Sequence, residues 1–347
     1  MTFKYNNVYI NDVATVAGKM ESEGPLVTYF DKVYKDFYMG SKTWEQAEIK
    51  MITECVDILL NKINKKKEDI NVFIAGDLLN QIAASSYAAK TLNIPYMGIY
   101  GACASSTLGL IIASNMIDGN MINNAIVNVS SHNNASEKQF RYPVEYGGPK
   151  RLTTTFTTTG SAASFLSYNK NGIKLESATL GSACDSHMTD PYHMGGVMAI
   201  ACAKTIVTHL EETKREIDYY DLVLTGDLGM YGKKILKEVL EKEYGITRGT
   251  IDDSACMIFD IDEQSVYAGG SGPACLPLVS YSYIFDEMRK GKLTRVLLVG
   301  TGALMNCNLV NQKLTIPSIA HAISLEVLAW CMWVVSYLQV SYVWLVS

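Results

Sequence analysis

Gly101-Ala-Cys-Ala-Ser-Ser106 is the stretch on which the fold turns. The run ahead of it, Pro95-Tyr-Met-Gly-Ile-Tyr100, reads as a strand. The segment behind it, Thr107 to Ile117, is long, apolar and rich in small residues, and reads as a helix. Strand, tight turn and helix put one side chain at a helix N-terminus. There, free N–H groups and the positive end of the helix dipole favour thiolate over thiol. Cys103 thus stands where a nucleophile would. The plainer reading is an inert buried thiol, since free cysteine is among the most buried residue types.

Upstream, Ala47, Met51, Cys55, Leu59 and Ile63 recur at four-residue steps, which predicts an amphipathic helix over Trp44 to Lys67. Asn71-Val-Phe-Ile-Ala75 reads as a buried strand ending at Gly76-Asp77, and Ser85 to Leu92 as a helix. Downstream, the strand Ala125-Ile-Val-Asn-Val129 delivers Ser130-Ser-His-Asn133. The aromatic, charged, glycine-terminated run Lys138 to Gly148 reads as a structured loop over a pocket, and Gly160 to Leu166 as another strand.

The second half then echoes the first in the same order. Gly226-Asp227 follows Gly76-Asp77 at an offset of 150, and Gly-Pro-Ala-Cys275 follows Gly-Ala-Cys103 at 172. Arg295 to Gly302 follows Ala125 to His132 at 170, and Ala320 to Leu325 follows Ser161 to Leu166 at 159. Four ordered echoes predict a duplicated α/β unit. The expected architecture is two pseudo-twofold-related α/β halves, 1–170 and 171–326, each a mixed sheet covered by helices. The turns at Cys103 and Cys275 are expected to face a shared cleft, a usual place for a ligand.

The chain has 347 residues, 48% of them hydrophobic and 19% charged, with a net charge of −5. That is a globular composition with a large core. The one compact basic run is Lys65-Lys66-Lys67, which closes the predicted helix, so nucleic acid is not expected as a partner. Met1 to Asn7 lacks an apolar core, so no secretion signal is expected. Eight cysteines without a C-x-x-C pair fit reduced thiols inside a cell. Cys184, His187, Asp190 and His193 match no common zinc spacing, and Thr189-Asp-Pro191 reads as a helix start, so no metal site is expected. Val327 to Ser347 carries no charge and is long enough to span a bilayer. It reads as a membrane anchor, as a segment packed on a partner, or as a frame error in the coding region.

A twice-written α/β chain with a cysteine at such a turn resembles the thiolase and ketoacyl synthase superfamily. Gly76-Asp-Leu-Leu-Asn-Gln81, Gly101-Ala-Cys103, Ser130-Ser-His-Asn133, Gln139-Phe-Arg-Tyr-Pro-Val-Glu-Tyr-Gly-Gly148, Leu224-Thr-Gly-Asp-Leu228, Ala268-Gly-Gly-Ser-Gly272 and Ile316-Pro-Ser-Ile-Ala-His321 together look like the stage V sporulation protein AD family, from about residue 8 to Glu326. The resemblance implies a thiolase-like fold and a role in handling dipicolinic acid (pyridine-2,6-dicarboxylic acid), taken up into the developing spore and released at germination. It implies a peripheral place at the spore inner membrane beside membrane proteins of the same operon, and a homodimer. No cofactor is expected beyond calcium accompanying the ligand.

Thiolase-like enzymes pair the cysteine with a second-half histidine in a glycine-rich turn. Here that position falls in Gly270 to Cys275, and the histidine is absent. A Cys103–His321 pair would keep acyl transfer open, but binding needs less. Helix N-termini at Cys103 and Cys275 would offer N–H groups to a dianion, and Ser131, His132, Asn133 and His321 would offer hydrogen bonds. Arg141 would face a carboxylate, unless it pairs with Glu145. Asp77 and Asp227 would repel a dianion unless protonated, metal-bridged or turned away; an Asp after Gly at a strand end commonly caps the next helix. His132 reads equally as a satisfied core histidine.

Overall fold

The computed structural model describes residues 1–140 and 150–327. Arg141 and Glu145, and all but the first residues of the Gln139 to Gly148 block, lie outside them, as does the apolar tail from 328 onward. Ten strands make the main sheet path: β1 (Tyr9–Ala17), β2 (Phe73–Gly76), β3 (Tyr96–Gly98), β4 (Asn124–Ser131), β5 (Gly160–Ser167), β6 (Ile173–Leu180), β7 (Leu222–Thr225), β8 (Ile251–Asp253), β9 (Arg295–Ala303) and β10 (Pro317–Glu326).

The first five run in the order β3-β2-β4-β5-β1, and the second five in the order β8-β7-β9-β10-β6. The two orders match strand for strand. In each half the central short strand is parallel to both neighbours, and the next two pairings are antiparallel. The half-sheets fuse where Tyr9 and Ile10 of β1 pair with Lys174 and Ile173 of β6.

Pairings also fix the repeat register. Phe73 faces Ile126, and its counterpart Val223 faces Leu297, so β4 and β9 are offset by 171 where the sequence suggests 170. Ile126 pairs with Phe165 and Leu297 with Ser324, an offset of 159 as expected. The one-residue slip has a physical source. Both β4 and β9 are buried over nearly their whole length, so neither carries the polar–apolar alternation that pins a register.

The helix α1 (Trp44–Lys62) starts where predicted, with the Thr43 hydroxyl accepting the Gln46 N–H at 3.3 Å. It stops five residues early, because Asn64 turns the chain out at φ 49; Lys65 to Lys67 therefore lie beyond its last turn. After α2 (Ala83–Leu92) comes α3 (Ser105–Asp118), which lies between the half-sheets and is apolar on nearly every side. Its close approach needs glycine. A Cβ at Gly109 would sit 2.6 Å from Val127, and one at Gly300 2.4 Å from Thr107.

The helix α4 (Asn133–Phe140) occupies the start of the stretch read as loop. The helix α5 (Met194–Thr213) starts after the expected Thr189-Asp-Pro191: His193 Nδ1 accepts the Gly196 N–H, while Asp190 accepts from Tyr192 N–H and pairs with Arg151. In the second half, α6 (Gly229–Tyr244) follows β7, and α7 (Cys275–Val279) runs on through a π turn to Arg289.

Candidate functional site

The Cys103 turn is tight. Ala102 adopts φ 50, a left-handed backbone that costs a non-glycine residue on the order of 1 kcal/mol. It is held by Ala104 N–H to Gly101 C=O at 3.0 Å and by Ser105 Oγ, which accepts the Gly101 N–H at 3.0 Å and donates to Ala102 C=O. The turn places half-buried Cys103 on the wall of a cavity of about 60 Å³ between the halves. The first half contributes Leu78, Tyr100, Cys103, Glu137, Phe140 and Thr157; the second contributes Met194, Met198, Ser271, Gly272 and Met305. Two short parallel runs, Phe156–Thr157 and Gly270–Ser271, stitch the halves together at its floor.

The twin turn is present, but the expected cysteine counterpart is not. The left-handed residues are Ala102 and Gly272, and the helices begin at Ser105 and Cys275. Both give an offset of 170, so Pro273 stands opposite Cys103, and Cys275 opposite Ser105. The Cys275 thiol is fully buried, 3.6 Å from Ser254 Oγ, and is not part of the cavity wall. Burial, then the nearby Asp227 carboxyl, pushes its pKa well up. The expectation that both thiols face the cleft holds for the turns and for Cys103 only.

Other expected site residues sit outside the cavity wall. Asp77 accepts the Leu79 and Ser85 N–H groups at 2.8 and 2.7 Å, bracing the entry to α2. His132 Nε2 meets the Phe37 carbonyl at 2.8 Å, with its ring stacked on Trp44, and burial lowers its pKa. Ser131 Oγ donates to Thr158 C=O, and the Asn133 N–H donates to Thr159 Oγ1. His321 lies mid-strand in β10; its Nδ1 accepts the Gly181 N–H at 3.2 Å, and burial drives its pKa down to about 4.

Asp227 is the exception among the acids. It is wholly buried at φ 68, and among the described residues neither oxygen completes a hydrogen bond, though the Gly272 N–H lies close. Burial and then the Asp253 charge raise its pKa well above the usual carboxyl range. It sits behind the cavity floor at Gly272.

The residues that sequence reasoning missed come from segments far apart in the chain. Glu137 projects from α4 with Oε1 3.4 Å from Thr157 Oγ1 and Oε2 3.5 Å from Lys150 Nζ. Met194, Met198 and Met305 form a soft apolar wall. The glycine-rich Ala268 to Gly272 run was the only sequence signal for this side. The arrangement offers a mostly apolar cavity, a thiol near a helix start, hydroxyls at Ser136, Thr157 and Ser271, and one carboxylate. Among the described residues, no group of three or more His, Cys, Asp or Glu is placed to hold a metal ion, and no helix is long and apolar enough to cross a membrane.

Solved structures share this fold at low identity. The 3-oxoacyl-[acyl-carrier-protein] synthase III of Aquifex aeolicus VF5 matches with a TM-score of 0.59 at 13% identity, over 92% of this chain and 100% of that one. Cerulenin-bound OleA of Xanthomonas campestris matches with a TM-score of 0.60 at 16% identity, over 94% and 100%. These likenesses make the fold thiolase-like. Stage V sporulation protein AD of Bacillus subtilis (strain 168) is 44% identical over 319 residues, 92% of this chain and 94% of that protein. The family model described as Stage V sporulation protein AD (SpoVAD) matches residues 1–326. With its doubled sheet, its Cys103 turn and a family match over nearly all its length, the chain belongs to the stage V sporulation protein AD family.

Proposed function

We propose that this sporulation protein binds dipicolinic acid, free or as its calcium chelate, in the cavity beside Cys103, for uptake into the developing spore and release at germination. In this reading it works at the spore inner membrane as a peripheral partner of the membrane proteins of its operon, and it catalyses no reaction. One observation carries the proposal: the cavity is walled by both halves, while His132 and His321 are engaged elsewhere. Both histidines that the sequence offered as partners are thus committed to main-chain groups, and the mostly apolar wall suits an aromatic ring. Titration calorimetry tests it. Saturable heat with dipicolinate, lost in Gly272→Val, is expected; that branched side chain would crowd Ser131 and Thr157. No heat with excess free acid or chelate overturns it.

Acyl transfer is the second reading, favoured by one feature: Cys103 is half-buried on the cavity wall just ahead of α3. It requires a covalent adduct on Cys103 after incubation with acyl-CoA. An unchanged intact mass across several donors removes it.

A further inference from the structure

We infer that Asp227 is a positioning residue for the cavity: from behind the floor it holds the main chain at Gly272, and so sets the shape that Cys103 and a ligand meet. Its effect on a ligand rests on the dipicolinate reading above; its effect on the floor does not.

Asp227 is unfavourable where it stands. It is wholly buried, its backbone is left-handed at φ 68, and among the described residues neither carboxyl oxygen completes a hydrogen bond. Buried polar groups are normally kept by their partners. The usual work of an acid at this corner is already done, because Asp253 accepts the Leu228 and Gly229 N–H groups at 3.2 and 3.0 Å. What the Asp227 carboxyl does have beside it is the Gly272 main chain. Burial and then the Asp253 charge raise its pKa, and the Gly272 N–H pulls it the other way, as a donor beside a carboxyl does.

The twin turns show what this contact replaces. In the first, Ser105 begins α3 and its Oγ clasps the turn, accepting the Gly101 N–H at 3.0 Å and donating to the Ala102 C=O at 2.7 Å. The matching residue of the second turn is Cys275. A thiol is a weak donor and a weak acceptor, and this one lies 3.6 Å from Ser254 Oγ. The second turn therefore lacks the hydroxyl clasp, and the Asp227 carboxyl stands at its Gly272 N–H instead.

Gly272 is a sensitive place to hold. It lines the cavity with Ser271, Thr157 and Cys103, and its φ of 99 suits glycine almost alone. A Cβ on it would sit 2.9 Å from Ser131 Oγ and 3.2 Å from Thr157 Cγ2, so the turn has no slack on the first-half side. In a cavity of about 60 Å³, a small shift of this turn changes what fits.

The test compares variants of the full chain at pH 7 by two measurements: the rate at which iodoacetamide labels Cys103, and the affinity for sodium dipicolinate in titration calorimetry. Asp227→Asn keeps an acceptor oxygen and tolerates a left-handed backbone, so it should match wild type within about twofold in both. Asp227→Gly also suits φ 68 but removes the acceptor; the freed floor should let Cys103 label about threefold faster and dipicolinate bind about tenfold more weakly. Asp227→Glu carries the carboxyl one methylene further and drives the floor inward, slowing the labelling about threefold. A role in stability alone would lower the urea midpoint of Asp227→Gly and leave the labelling rate of the folded protein at the wild-type value. That result overturns the inference, as does Asp227→Asn labelling like Asp227→Gly. If Asp227→Gly does not fold, Asp227→Glu decides: slowed labelling upholds the role of Asp227, and wild-type labelling overturns it. Faster labelling of Asp227→Gly with unchanged affinity upholds the floor and takes the ligand off it. A wild type that binds no dipicolinate overturns the ligand reading, and the labelling rates then decide the role of Asp227 alone.

Discussion

The two halves answer the same structural demand with different acids. At the end of β2, Asp77 turns its carboxylate onto two backbone N–H groups and braces the next helix. At the matching corner after β7, Asp227 does not. There the bracing falls to Asp253 at the end of β8, which accepts Thr225 Oγ1 at 2.6 Å and the N–H groups of Leu228, Gly229 and Ala255 at 3.0 to 3.2 Å. Asp227, relieved of capping, is left buried behind the cavity floor with its pKa raised. Repeating a fold therefore does not repeat its polar wiring: one Gly-Asp corner is scaffold, and the other is a buried acid next to the cavity.

The sharpest contrast between the halves is chemical. Iodoacetamide should modify Cys103 in the native protein, while Cys275 stays unmodified until unfolding; peptide mass mapping reads both, and early labelling of Cys275 breaks the picture of one open and one closed turn. In stability, Asp253→Ala should cost about 3 kcal/mol and Asp77→Ala about 2 kcal/mol in urea unfolding, since the first strands three buried N–H groups and the second two. Equal costs would mean that the corners are braced alike.

A third buried acid tests linkage. Glu21 accepts the Thr159 N–H, and burial raises its pKa from 4.5 to about 8. Raised in the folded state, it holds a proton that the unfolded chain has lost, so stability falls as pH rises between those values. Buried His209 and His321, lowered to about 4, act in the opposite sense only below 6.5. Between pH 6.5 and 8 the wild type should therefore lose about 2 kcal/mol that Glu21→Gln does not lose. The last contrast is Asp227→Asn, which should be no less stable than wild type at pH 7 and gain on it as pH rises to 8, because burial raises the Asp227 pKa and the amide has no proton to lose. A loss of the Asp253 size would show Asp227 to be a cap after all.

Much of this frame is legible in the sequence. The Gly-Ala-Cys turn, the all-apolar α3 and the repeated Gly-Asp corners announce strand, turn and helix twice over. Aligning the second turn on its cysteine misplaced it by two residues. Conformation, not residue type, sets the register: Ala102 and Gly272 share the left-handed backbone, and Cys275 is the helix's first residue. The cavity wall is less legible for another reason. Glu137, Thr157, Met198 and Met305 meet only through tertiary packing, and a lone Glu in an eight-residue helix carries no local mark of its neighbours. Asp253 was hidden likewise, since Thr225, Leu228 and Gly229, three of its four partners, lie 24 to 28 residues away.

The pairing of Tyr9 and Ile10 with Ile173 and Lys174, together with the two-residue runs under the cavity, has a kinetic consequence. The groove between the halves is a seam sewn with main-chain bonds, not a jaw. A ligand of the kind proposed above would then enter past side chains of the wall, not by one lobe swinging from the other. If that proposal holds, residence time would be governed by rotamer hops of the Met and Phe side chains in the wall, and trading Met194 or Met305 for stiffer residues would tune release without loosening the fold.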